Sequence, residues 1–354
     1  LSDNDYHYIK ESVAMIRKIN FKTVALFSMT VVTAVSSNIL PTASQTSRTP
    51  ASIAQNRPQV VATSSVICGL TKEIAGSTID LKCLVGAGSD PHVYQAKPAD
   101  RAAIDRAKLI LYNGYDFEPS LIQLIKASSN KAPKVAVAEQ AVPNPLMAED
   151  EGHSHGGHSH GGHSHGAGKK VADPHVWHDA KNGMAMAKVI SNQLSKVVPD
   201  RAAVYNRNTQ KITGEIARID SWIKSQISTI PAPNRKLVTT HDALSYYSKA
   251  YGIPVASVLE GISTDEMPAA ARIATLVKEI RASGVPTIFV ETTVNPKLIE
   301  TVARESKVKV SPRDLFADGL GEAGGDGDTY QKMLVANTRT IVEGLGGKYS
   351  ALKP

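Results

Sequence analysis

The chain has 354 residues, enough for two compact domains that each bury a core. A formal charge of +7 could signal nucleic acid, but the lysines and arginines are scattered and meet no interleaved aromatics, so nucleic acid is not an expected partner. A hydrophobic fraction of 42% is ordinary for a globular protein, although aromatics supply only 5%.

Residues 1–44 read as an upstream extension, ahead of Met15, and a cleavable export signal. Arg17, Lys18 and Lys22 precede a short apolar run, Thr23 to Val35, and small residues follow it. That run falls short of the ~20 apolar residues a spanning helix needs. No cysteine follows it, so no lipid anchor is expected, and the mature chain is placed in the periplasm. Residues 45–58, rich in Pro, Ser and Thr, form a flexible lead.

From residue 59 short apolar runs alternate with helical stretches. In an N-terminal lobe, 59–181, the strands are QVVATSSV, TIDLKCLV, AKLILYN and KVAVAE, and CGLTKEIAG, PADRAAIDR and EPSLIQLIKAS are helices between them. This rhythm predicts a parallel sheet covered by helices. The only cysteines, Cys68 and Cys83, fit no zinc-site spacing; an oxidising compartment permits a disulfide between them, two buried thiols being the other reading. Within this lobe about 145–171 forms a disordered loop holding three copies of Gly-His-Ser-His-Gly. Its histidines, His153, His155, His158, His160, His163 and His165, make a weak multivalent metal tract.

Residues 182–230 are helical, interrupted at Pro199-Asp200, with Asp200 as the expected N-cap of the second helical part. Ala203, Tyr205, Ile212, Ile216, Ile219, Trp222 and Ile223 then recur at near-helical spacing, which predicts one long helix connecting the lobes and limited hinge motion. The C-terminal lobe, 231–354, repeats the pattern with strands RKLVTTH, IPVASVL, PTIFVE and KVKVS and four intervening or following helices. The expected fold class is therefore α/β: two lobes, each with a mainly parallel four-stranded sheet, joined by a long rigid helix, with a metal site in the cleft between them.

Apart from the tract and His7, four histidines remain: His92, His175, His178 and His241. Asp90-Pro91-His92 follows the second strand, Asp173-Pro174-His175 follows the fourth, and His241 ends the fifth. Open parallel sheets bind ligands outside the carboxyl ends of their strands, so these three would meet across a cleft. In each Asp-Pro-His, proline stiffens the loop and the aspartate can accept backbone N–H groups. A fourth ligand is expected from the second lobe; Asp318, in a glycine-rich loop, is preferred to Asp314, Glu322 and Asp326.

DPHVYQAKPAD, LYNGYDFE, ADPHVWHDAKNG, THDALSYYSKAYGI, STDEMPAAARIATLVKEI, IFVETTVNPKLIETVARES and DGLGEAGGDGDTYQKMLVANTRTI together resemble the zinc/manganese-binding solute receptors of bacterial ABC importers, over residues 59–350. The resemblance implies a cleft site made by His92, His175, His241 and Asp318. It also implies a membrane permease with its cytoplasmic ATPase as partners, and an acidic, His-rich loop is typical of the zinc branch. The chain departs at His178, where an apolar residue is common, and at Gly319, where a small polar residue or proline is common. A helix start beyond Trp177 would point His178 away from the site.

Three imidazoles and one carboxylate suit Zn2+ as the transported ion. Many manganese receptors of this family carry glutamate at the third position, although some with this ligand set also accept Mn2+. A secreted zinc hydrolase is a competing reading, but the chain has no HExxH helix. Glu291, the one well-placed candidate base, is better read as an acceptor that orients a histidine. An adhesin or storage protein is a third reading. The expectation is a monomeric receptor, not an enzyme.

Overall fold

The computed structural model describes residues 57–150, 169–265, 268 and 270–353. The expected extension and signal, the lead as far as residue 56 and the histidine tract lie outside the described residues.

In the N-terminal lobe β1 (Gln59–Ala62), α1 (Ser65–Ala75), β2 (Asp80–Cys83), α2 (Pro98–Arg106), β3 (Leu109–Tyr112), α3 (Pro119–Ala127), β4 (Lys134–Ala136) and α4 (Val137–Ala141) follow in order. The sheet is wholly parallel, ordered β2-β1-β3-β4. Its side chains alternate between two cores, as the strand period of two requires. Val60, Ala62, Leu109 and Leu111 enter the main core. Val61 and Ile110 face a smaller one with Ile104 and Ile125. A disulfide joins Cys68 in α1 to Cys83 at the end of β2, with the Cα atoms 5.7 Å apart.

The stretch expected as one loop, about 145–171, has ladder at both ends. β5 (Met147–Asp150) pairs antiparallel with β6 (Lys169–Ala172). Neither MAED nor KKVA alternates apolar with polar residues, so no strand pattern shows in the sequence. The base of this hairpin is pinned to the other lobe, since the Leu146 N–H donates to the Tyr246 hydroxyl oxygen at 2.8 Å.

After a 3-10 turn at Val176–His178 come α5 (Ala180–Val197) and α6 (Ala202–Ile227), split by a second 3-10 turn at Pro199–Arg201. Asp200 lies inside that turn and does not cap α6, whose N-cap position is Arg201 without a side-chain bond. Proline opens the turn, and backbone carbonyls take its first donors, the Arg201 N–H going to Val198 and the Ala202 N–H to Pro199. At 1.5 Å per residue α6 is roughly 39 Å long. Near its start the Tyr205 and Thr78 hydroxyls meet at 2.8 Å; near its end Trp222 Nε1 donates to the Ser350 carbonyl at 3.1 Å. One helix is thus bonded to both lobes.

The C-terminal lobe holds β7 (Leu237–Thr239), α7 (Ser245–Tyr251), β8 (Val255–Val258), α8 (Ala270–Ser283), β9 (Thr287–Ile288), α9 (Lys297–Ser306), β10 (Lys309–Val310) and α10 (Tyr330–Gly344). Its strands form two parallel pairs, β7–β8 and β9–β10. They meet where the Phe289 N–H donates to the Val238 carbonyl at 2.9 Å, giving the order β8-β7-β9-β10. The main core continues from the first lobe through α5 and α6 into Leu237, Tyr247, Phe289, Tyr330 and Leu334. Among the described residues no helix is long and apolar enough to cross a membrane.

Candidate metal centre

Each expected ligand sits in a loop that follows a strand, His175 and His241 within three residues of its end, and that loop is tied down. Past β2, Asp90 Oδ1 accepts the His92 N–H at 2.9 Å, closing the turn that proline stiffens. Past β6, Asp173 Oδ1 accepts the His175 N–H at 2.9 Å and also meets His175 Nδ1 at 2.9 Å. A carboxylate only accepts, so Nδ1 carries a proton and Nε2 is the nitrogen that faces the cleft and can give up its proton to a metal. Asn113 Nδ2 holds the Pro174 carbonyl at 3.1 Å. Past β7, Glu291 Oε1 accepts the N–H groups of Thr240 and His241 at 3.0 and 3.1 Å, and Oε2 meets His241 Nδ1. His241 is therefore held by Nδ1 in the same way and turns Nε2 inward.

Asp318 arrives from the loop before α10, with no exposure to solvent. Thr293 donates to its Oδ2 at 2.9 Å, which leaves Oδ1 for the cleft. His92 Nε2 lies 3.3 Å from His175 Nε2, and His241 Nε2 lies 3.4 Å from it. Asp318 Oδ1 is 3.1 Å from His241 Nε2, 3.2 Å from His175 Nε2 and 3.6 Å from His92 Nε2. Zinc–ligand bonds of ~2.0–2.1 Å give a tetrahedron with edges of about 3.3–3.4 Å. The observed spacings cluster on that edge. The four form a buried cluster able to coordinate a divalent metal.

The electrostatics agree. Burial alone would push His175 down, but Asp173 and Asp318 outweigh it and hold its pKa above the usual value. Burial likewise opposes charge on His241, yet Asp318 and Glu291 hold its pKa well above normal. Burial would raise Asp318; the charge of His241 and bonds from the three imidazoles hold it well below the carboxylate range. The centre is built for positive charge.

Two groups nearby escaped the sequence reading. Glu118 is fully buried: its Oε1 accepts Thr63 Oγ1 at 2.6 Å and the Asn113 N–H at 2.7 Å. Burial pushes its pKa up to about 7. Beside it Phe117 sets its ring edge-on to His92 and His175, at 5.0 and 5.6 Å. Gly114, Tyr115 and Asp116, all at positive φ, make the tight turn that brings both residues here. His178 lies outside the metal-ligand cluster. It is fully buried, and Nε2 reaches the Ala317 carbonyl at 2.8 Å. Burial, with the charge of His175 next, pushes its pKa down to about 3, so it is neutral.

Two α/β lobes closing three imidazoles and a carboxylate between them define a binding protein for a divalent metal. Residues 60–344 match the family described as zinc-uptake complex component A, periplasmic (ZnuA), and the chain belongs to that family. It is 34% identical over 294 residues to the manganese ABC transporter substrate-binding lipoprotein PsaA of Streptococcus mitis, covering 81% of this chain and 89% of that one. The periplasmic zinc binding protein TroA from Treponema pallidum superposes with a TM-score of 0.73 at 30% identity, covering 82% of this chain and 99% of TroA. Fe(III)-bound YtgA from Chlamydia trachomatis shares the fold, with a TM-score of 0.70 at 24% identity over 82% of this chain and 99% of its own. Family members are solute-binding transport proteins, not catalytic enzymes, so the hydrolase reading falls. The protein is a periplasmic divalent-metal-binding component of an ABC import system.

Proposed function

We propose that the chain captures one divalent transition ion, zinc or manganese, through His92, His175, His241 and Asp318, and delivers it to an ABC permease driven by a cytoplasmic ATPase. The observation that carries this reading is the set of five ligand-to-ligand distances between 3.1 and 3.6 Å. Nitrogen-rich ligation alone favours zinc, the preference expected from the sequence. Similarity to a manganese receptor as well as a zinc-binding protein supports a mixed zinc/manganese receptor better. Glu291 serves as the acceptor that orients His241, and the six tract histidines collect metal more weakly.

Calorimetry on the purified chain tests the assignment. One tight ion per chain is expected, and His92→Ala, His175→Ala or His241→Ala should each weaken it by more than about a hundredfold, beyond the usual loss of a supporting contact. Tight binding retained in any two of these variants would sink the ligand set. Competition between zinc and manganese on the same sample reads the preference: measurable tight binding of both is expected.

A further inference from the structure

The Asp318 loop belongs to the C-terminal lobe by chain order, yet its neighbours across the cleft hold it. His178 Nε2 lies 2.8 Å from the Ala317 carbonyl, and both residues are fully buried. A carbonyl only accepts, so Nε2 carries the proton and donates. Two residues beyond Asp318, the Leu320 N–H donates to Ser65 Oγ in α1 at 2.9 Å. Gly319 fits there because it is bare: a Cβ would stand 2.5 Å from Ser65 Oγ. The turn carrying His178 is itself fixed, since the Tyr330 hydroxyl donates to the Trp177 carbonyl at 2.6 Å.

These bonds link two ligands by a path that does not pass through the metal. His175 is three residues from His178, and Ala317 immediately precedes Asp318. Packing alone does not account for an imidazole here. Its Nδ1 is buried with no hydrogen bond among the described residues, a cost that an apolar side chain of similar size would avoid. What the imidazole adds is the bond to Ala317.

We propose that His178 is a positioning residue of the metal centre: its Nε2–H grips the Ala317 carbonyl and sets Asp318 in register with the three imidazoles before metal arrives. The inference rests on Asp318 being a ligand, as assigned above. Holding a ligand in place beforehand lowers the ordering cost of binding. The effect is specific to this route: His178 acts on the ion only through Asp318.

A double-mutant cycle on the full chain, read by chelator-buffered zinc titration that reports the tightest site, tests it. His178→Leu should weaken zinc about tenfold, the scale of one buried hydrogen bond. His178→Gln, whose amide can occupy the place of Nε2, should return within about threefold of the unaltered protein, a difference below one such bond. In an Asp318→Asn background, His178→Leu should change zinc affinity by less than about twofold, because the residue it positions no longer ligates. Equal losses in both backgrounds would mean that His178 only supports the fold, and an unaltered affinity in His178→Leu alone would also overturn the inference. Should His178→Leu not fold, His178→Asn, with an amide too short to reach Ala317, takes its place. If Asp318→Asn itself binds zinc as tightly as the unaltered protein, the ligand assignment falls first, and the single variants show which claim failed.

Discussion

Asp318 has two oxygens and uses them differently. Oδ1 converges with the imidazoles, whereas Oδ2 is taken by the Thr293 hydroxyl at 2.9 Å. A carboxylate held by one oxygen favours a small coordination number, which suits zinc; freeing the second oxygen suits manganese, which prefers more oxygen ligands. Thr293→Val keeps the shape and removes the donor. It should lower the zinc-to-manganese affinity ratio by about tenfold or more, the scale of one hydrogen bond to a charged group, measured by competition calorimetry. An unchanged ratio would show that Thr293 does not govern how Asp318 binds. At this scale the sequence was informative where chemistry is local. Both Asp-Pro-His turns close on their own aspartates, as the motif suggested. Glu291 could be placed from the end of its strand. Thr293, Ser65 and His178 could not, because each partner lies in the distant loop around Asp318, within the same lobe for Thr293 and across the cleft for Ser65 and His178. His178 was expected to point away; it points at the backbone beside Asp318.

Helix α1 is held at its start by a cap and along its length by a covalent tie. Ser64 Oγ accepts the Ile67 N–H at 3.4 Å, and the disulfide ties Cys68 to Cys83 across a sequence separation of 15. In the chain-entropy account, closing a loop of that size stabilises by ~3 kcal/mol. Replacing both cysteines by alanine should lower the unfolding free energy by that amount, obtained from the denaturation midpoint and slope together. A loss below about 1 kcal/mol would put the brace outside the range found for native bridges. Element ends show where sequence reading stops. PADRAAIDR matches α2 to the residue, because proline and the Asp100 capping bond fix its start. The sequence predicts a strand over all of KVAVAE, yet only Lys134–Ala136 pair. Their partner β3 ends at Tyr112, and the Ala138 N–H turns to the Asn113 carbonyl at 3.0 Å, starting α4. A helix also needs room for its neighbours. A Cβ on Gly183 of α5 would stand 2.0 Å from the Tyr330 hydroxyl that reaches Trp177.

At the scale of the molecule one core spans both lobes, and α6 is bonded to each, so the centre is presented by a continuous body. Two lobes, four-stranded parallel sheets and a long connecting helix were legible in the periodicity; that the Phe289 N–H to the Val238 carbonyl makes the join between β7 and β9 was not. Protons and metal compete for this body. His175 and His241 have raised pKa values in the metal-free protein, so they keep protons above the usual histidine range. A group with a raised folded pKa contributes stability that is complete below its unfolded value, near 6.5 for histidine, and is lost as pH rises through the folded value. Glu118, pushed up to about 7, acts in the same direction: its contribution is complete below 4.5 and lost as pH rises through about 7. Asp318 and His178 are depressed, so their contributions are already present above 3.8 and 6.5, respectively, and fade only toward acid. From about pH 6.5 upward the metal-free protein should therefore lose thermal stability. Metal reverses the histidine part, because binding removes those protons, and affinity should climb through the same window by up to about a hundredfold per pH unit when two protons are displaced. Thermal melts of the two forms between pH 6 and 9, with zinc titrations at each pH, measure both trends. Glu118 is common to the two forms, so its contribution cancels in the difference between their curves. Parallel curves, with zinc affinity flat above pH 6.5, would mean that Asp173, Asp318 and Glu291 do not hold protons on the ligands.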